Sequence, residues 1–143
     1  MRKRVQGTQD KGEHHDELLH FMLSPLLSAN HILVLNPSMH TATLLNSEGS
    51  GEVHIVQQQH FSPNGMGVLV PLLQAYPHYC PYEVLLASLF PLSLEECREQ
   101  LREAWEMALR PVRRAMSSIM AGLRALGLQV RSIRGAGYLI EAL

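Results

Sequence analysis

The chain has 143 residues, 46% of them hydrophobic, and a formal net charge of -1, which is enough apolar material for one core and leaves little beyond it except a terminal arm. No apolar run approaches the roughly 20 residues that span a bilayer, Met1-Arg-Lys-Arg lacks the apolar segment of a signal peptide, and Cys80 and Cys97 have neither a second pair nor a histidine at ligand spacing. The sequence therefore indicates no membrane span, zinc site or disulfide framework, and a reducing, cytoplasmic setting without metal or cofactor is the expectation.

Residues 1–30 read as a flexible basic arm and a short helix. Positions 1–13 are polar, contain two glycines and show no periodicity, as a disordered arm does. Asp16 to Leu23 then predicts a helix, with Leu18, Leu19, Met22 and Leu23 on one side and Ser24-Pro25 as its stop. His14, His15 and His20 do not share a helix face, so they read as solvated side chains.

The domain proper is expected over 31–143. Ile32-Leu33-Val34-Leu35, the alternating Thr41 to Leu45 and Val53-His54-Ile55-Val56 predict three antiparallel strands, with a turn at Asn46 to Gly51. Ser62-Pro63 starts a helix running to about Tyr76 and burying Val68, Leu69, Leu72 and Leu73, kinked or shortened at Pro71. Pro77 and Pro81 bracket a turn, and Tyr82 to Phe90 is a second helix. A third occupies 93–109, capped by Ser93 and striped with Leu94, Cys97, Leu101, Ala104, Trp105 and Ala108, with charge pairs Glu95 to Arg98, Glu99 to Arg102 and Glu106 to Arg110.

A break is expected at Arg110, with Pro111 in the first turn of a new helix over 112–126. Val112, Met116, Ile119, Met120, Leu123 and Leu126 form its core stripe; Arg113, Arg114, Ser117, Ala121 and Arg124 lie opposite. From Val130 to Arg134 the pattern alternates, Gly135-Ala136-Gly137 turns the chain, and Tyr138-Leu139-Ile140 returns. Charge is segregated along this order: residues 5–109 hold three bases against twelve acids, whereas the stretch from Arg110 onward holds six arginines against Glu141 alone. Arginines confined to one helix face and one hairpin suit a polyanion.

Leu123-Arg124 followed by Val130-Arg131-Ser132-Ile133-Arg134-Gly135-Ala136-Gly137-Tyr138 resembles the end of the winged-helix DNA-binding domain of OmpR/PhoB-type response regulators, whose recognition helix closes on Leu-Arg and whose wing reads Arg-Gly-x-Gly-Tyr. The resemblance covers roughly residues 40–141. It implies an α+β fold: a winged helix-turn-helix with an N-terminal antiparallel β-platform, three to four helices and a C-terminal β-hairpin wing. The receiver domain of full-length members is not expected in the residues ahead of Ile32. The 93–109 helix departs from the family, which usually has there a loop that can contact RNA polymerase. Gly65 stands where the family commonly has a glutamate, and Ala121 and Gly122 stand where it often has arginines.

The function this implies is a transcriptional regulator on double-stranded DNA, with the 112–126 helix in the major groove and the 130–140 wing in the minor groove. Arg113 and Arg114 are expected mainly on phosphates, Ser117 and Ser118 on the groove floor, Arg124 and Arg131 on backbone near the far end, and Arg134 in the minor groove. RNA polymerase or a regulatory protein is a partner to consider for the 93–109 helix, and a homodimer is left open. The alternative is a degenerate winged-helix module that binds protein through 93–109. An enzyme is disfavoured: the chain has no phosphate loop with a lysine, no His-Glu-x-x-His and no Gly-x-Ser-x-Gly, so no catalytic residue is assigned.

Overall fold

The computed structural model describes residues 2–5, 17–47, 49 and 51–143. The chain opens with an antiparallel sheet of five strands hydrogen-bonded in sequence order: β1 (Arg2–Val5), β2 (Leu18–Phe21), β3 (His31–Asn36), β4 (Thr41–Asn46) and β5 (His54–His60). Alternation sets its faces. The register Leu19 with Leu35, Phe21 with Leu33, Leu33 with Leu44 and Leu35 with Ala42 places these six apolar side chains on one face, where all are buried.

The helix expected over 16–23 is a strand. Leu18-Leu19-His20-Phe21 alternates half-buried and buried, a period of two. So short an apolar run fits either element on its own, and pairing with β3 decides it. The expected disordered arm is a strand at Arg2–Val5; residues 1 and 6–16 lie outside the described residues.

Four helices follow: α1 (Pro63–Ala75), α2 (Tyr82–Leu89), α3 (Leu94–Glu103) and α4 (Trp105–Ala125). Ser62 caps α1, its Oγ accepting the Gly65 N–H at 3.0 Å, and α1 continues through Pro71. At α3 the Ser93 Oγ accepts the Glu96 N–H at 3.0 Å and the Glu96 carboxylate accepts the Ser93 N–H at 2.8 Å, which satisfies two amides that a helix start otherwise leaves open.

The break between the last two helices falls at Ala104, where φ is -147° and ψ is 66°, not at Arg110. Pro111 lies inside α4. Lacking an N–H, it orphans the carbonyl four residues back, which belongs to Met107, a residue 67% exposed and so on the side of the helix that water reaches. Continuity also changes the ion pairing: Glu106 meets Arg113 at 2.9 Å rather than Arg110. The expected pairs Glu95 with Arg98 and Glu99 with Arg102 form, at 3.4 and 2.7 Å.

A second sheet closes the chain. β6 (Cys80–Pro81), β7 (Leu128–Ile133) and β8 (Gly137–Ala142) pair in the order β6-β8-β7. The expected hairpin is present, two residues longer at each end than 130–140, and it gains a third strand from the segment between α1 and α2 that reads as a turn. Gly137 makes this possible, because a Cβ there would overlap the Cys80 carbonyl.

The architecture is thus mixed α+β: an N-terminal antiparallel sheet, four helices and a C-terminal hairpin. One buried cluster links these elements, running from Phe21, Leu33 and Leu35 through Leu69, Leu72 and Leu85 to Leu109, Ile119 and Leu123. No helix among the described residues is long and apolar enough to cross a membrane.

Candidate nucleic-acid interface

Helix α4 divides cleanly by period. Leu109, Val112, Ala115, Met116, Ile119 and Leu123 are buried, while Arg110, Arg113, Arg114, Ser117, Ser118, Ala121 and Arg124 are exposed. At about 100° per residue the exposed set covers an arc of roughly 140°. Six of the seven are polar or basic, so the chain presents a broad, positively charged helix face.

The hairpin stands beside that face because an aromatic chain fixes it. Trp105, the first residue of α4, meets Tyr82 edge-on with ring centroids 5.3 Å apart, and Tyr82 meets Tyr138 of β8 edge-on at 5.9 Å. Burial pushes the Tyr138 phenol up, and the Tyr82 ring adds to this. The first residues of α2 and α4 and the return strand of the hairpin therefore share one packing point.

Shallow grooves flank α4. On the hairpin side Arg113, Met116, Ser117 and Met120 face Val130, Ser132 and Tyr138. On the other side Arg114, Ala115, Ser118 and Pro111 face Ser62 and Asn64 at the start of α1. Arg124 lies in the last turn of α4, and Arg134 sits exposed at the hairpin tip, ahead of Gly135 with φ of +73°.

The site residues expected from sequence do not have equal freedom. The Arg113 guanidinium donates to Glu106 at 2.9 Å and holds that carboxyl below its usual range. Arg131 donates through Nε to Glu141 at 3.0 Å. Arg114, Arg124 and Arg134 are exposed and no described acid pairs with them. Ser117 is exposed and lines the hairpin-side groove. The Ser118 hydroxyl donates to the Ala115 carbonyl at 2.7 Å, so it is turned back on its own helix and not out toward a groove floor.

Arg110 belongs with this set and was not among the residues expected there. It is exposed, no described acid pairs with it, and the unbroken helix aligns it with Arg114, Ser117, Ala121 and Arg124. The spacing 110, 114, 117, 121, 124 is a helical row that a break at Pro111 conceals.

Gly122 and Gly65 each have a packing reason for lacking a side chain. A Cβ on Gly122 would lie 2.6 Å from Cε1 of Phe61, which is itself buried. Gly122 thus faces the junction of β5 and α1, and an arginine has no room there. A Cβ on Gly65 would lie 2.9 Å from the Ile119 side chain and 3.1 Å from the Ser118 hydroxyl, so α1 and α4 cross closely at that point.

Among the described residues no three His, Cys, Asp or Glu side chains are grouped to hold a metal ion. Burial, with Glu83 adding to it, pushes the Cys80 thiol up to about 12. Cys97 is also raised, by burial first and then by Glu96 and Glu83. Because the thiolate is the reactive form, both thiols should resist a disulfide reagent at pH 8 in the native protein and react fully after unfolding. A native thiol that reacts as fast as free cysteine would show that β6 or α3 opens readily.

No protein-family model, curated protein or solved structure matches this chain.

Proposed function

We propose that the protein is a winged-helix transcriptional regulator that binds double-stranded DNA, with α4 in the major groove and the β7–β8 hairpin as the wing. The observation that carries this reading is the exposed face of α4, which bears Arg110, Arg114 and Arg124 without acidic partners among the described residues, next to a hairpin tipped by Arg134. The order of strands, helices and hairpin supports it, since it is the order the resemblance implies.

The parts then take distinct roles. Phosphates flank a groove-bound helix, and contacts to them fix register without reading sequence. The start of α1 borders the groove on that side of α4, so a phosphate there would meet a helix N-terminus, which favours an anion. Arg134 on a tight glycine turn would reach into the minor groove, whose narrow, negative channel suits a guanidinium. Arg113 and Arg131, paired with Glu106 and Glu141, would have to exchange an acid for a phosphate.

A second reading, a protein-binding module using α3 and the start of α4, rests on one observation. Trp105 is 40% and Met107 67% exposed, and Met107 borders a groove with Gln100, Glu103, Ala104 and Ala108. An Arg114→Ala, Arg134→Ala double variant separates the two readings in a gel shift with mixed genomic fragments. The first expects binding by the wild type and a loss of at least about 10-fold in the variant, as two phosphate or groove contacts imply. Equal binding by both proteins would contradict it and turn attention to the Trp105 surface.

A further inference from the structure

We infer that Arg110, Arg114, Ser117 and Ala121 form the base-reading row of α4, with Arg110 as a specificity-determining residue. The inference rests on the DNA-binding reading and adds to it which residues read sequence and what bases they favour.

The row follows from three observations. First, α4 is continuous from Trp105 to Ala125 through Pro111, so Arg110 is in helical register with the residues after the proline. At about 100° per residue the four side chains fall within roughly 60° of one another, and at about 1.5 Å per residue they span ~16 Å of axis. Second, they occupy the middle of the exposed arc. By angle Arg113 and Ser118 lie at its two edges, in the hairpin-side and α1-side grooves that Ser117 and Arg114 also border from nearer the middle. A helix seated in the major groove turns the middle of its exposed arc to the base edges and its flanks to the two phosphate backbones.

Third, the edge residues are held by hydrogen bonds and the middle ones are not; Arg110 feels the Glu106 carboxylate only at longer range, without a bond to it. Arg113 is held by Glu106 at 2.9 Å and the Ser118 hydroxyl by the Ala115 carbonyl at 2.7 Å. Arg110, Arg114 and Ser117 are exposed, and no described side chain or backbone group bonds their side chains. Gly122, the neighbour of the row's last member, faces Phe61 and is removed from readout.

Chemistry then sets the preference. A guanidinium makes two parallel bonds to O6 and N7 of guanine, a serine hydroxyl accepts from or donates to either kind of edge, and an alanine methyl packs on the methyl of thymine. The expected site carries guanines under the Arg110 and Arg114 end of the helix and a thymine toward Ala121.

The test is selection of bound duplexes from a randomised DNA pool by the wild type, Arg110→Ala and Arg110→Lys, followed by affinities for the selected site and its single-base variants at two salt concentrations. The wild type should enrich a guanine at one position and lose about 10-fold in affinity when it is replaced, the scale of one bidentate contact. Arg110→Ala should lose that preference alone, while Arg110→Lys, which can still donate to guanine, should keep part of it with a salt slope at the wild-type value. Position 110 is exposed, so the variants keep the fold, which circular dichroism verifies. The inference is overturned if Arg110→Ala weakens binding to every sequence equally with a slope smaller by about 0.9, the mark of a phosphate contact, or if Arg110→Ala keeps the guanine preference. A wild type that binds no duplex at low salt would instead remove the DNA-binding reading on which the inference stands.

Discussion

Gly137→Ala is expected to destabilise the protein by about 3 kcal/mol or more, the upper range for forcing atoms into a packed site. The reason is backbone against backbone. Gly137 pairs with Pro81 across β6 and β8, and its missing side chain is where the Cys80 carbonyl lies. A rotamer change cannot relieve that overlap; β6 must leave β8. The loss would reach the hairpin's position through Tyr138, whose ring meets Tyr82 at 5.9 Å, and through the Tyr82 N–H donated to the Ala136 carbonyl at 3.1 Å. Urea unfolding with an unchanged m-value would report the difference. Gly135→Asn is the control: Gly135 has φ of +73° and open space around it, and asparagine tolerates that left-handed backbone. A Gly137→Ala protein within about 0.5 kcal/mol of wild type would contradict the close pairing of β6 and β8.

On the proposed reading, Gly122→Arg should weaken both the fold and DNA binding, although it adds a cation to α4. Any side chain at 122 must displace the Phe61 ring, 2.6 Å from the position of its Cβ. Phe61 is buried at the turn from β5 into α1, so displacing the ring takes it out of its packed position. Relief of the glycine's helix penalty recovers about 1 kcal/mol, and overpacking opposes it by about 1–3 kcal/mol, with the larger arginine at the high end. The net expectation is a loss of about 2 kcal/mol together with reduced DNA affinity. Paired measurement of urea midpoint and duplex affinity checks both. An increase in affinity at unchanged stability would mean that Gly122 faces the groove and not Phe61.

Much of the fold was legible because its signals are local. The strands at His31–Asn36 and Thr41–Asn46 alternate, Ser62-Pro63 marks a helix start, and Gly135-Ala136-Gly137 between two alternating runs marks a hairpin. The two missed strands share a cause: each depended on a partner distant in sequence. Leu18–Phe21 is a strand because β3 pairs with it, and Cys80–Pro81 is a strand because Gly137 lets β8 approach. The helix break is at Ala104 and not Arg110, since no local residue announces it and Pro111 announces one that does not occur.

The candidate site was legible in part for the same reason. Periodicity alone places Arg113, Arg114, Ser117 and Arg124 on the exposed face of α4. Their unequal freedom depends on Glu106 and Glu141, seven and ten residues from the arginines they bind, and the Ser118 hydroxyl is lost to a backbone carbonyl that spacing does not reveal. Arg110 was hidden by the misplaced break.

The most direct measurement is the affinity of the purified protein for a selected duplex across a salt series. A groove-bound α4 with Arg134 in the wing predicts binding at low salt and a linear fall of log affinity with log salt, at about 0.9 per phosphate contact and so a slope of several for the arginines present. Absence of duplex binding at about 50 mM salt, or binding insensitive to salt between about 50 and 200 mM, would contradict it.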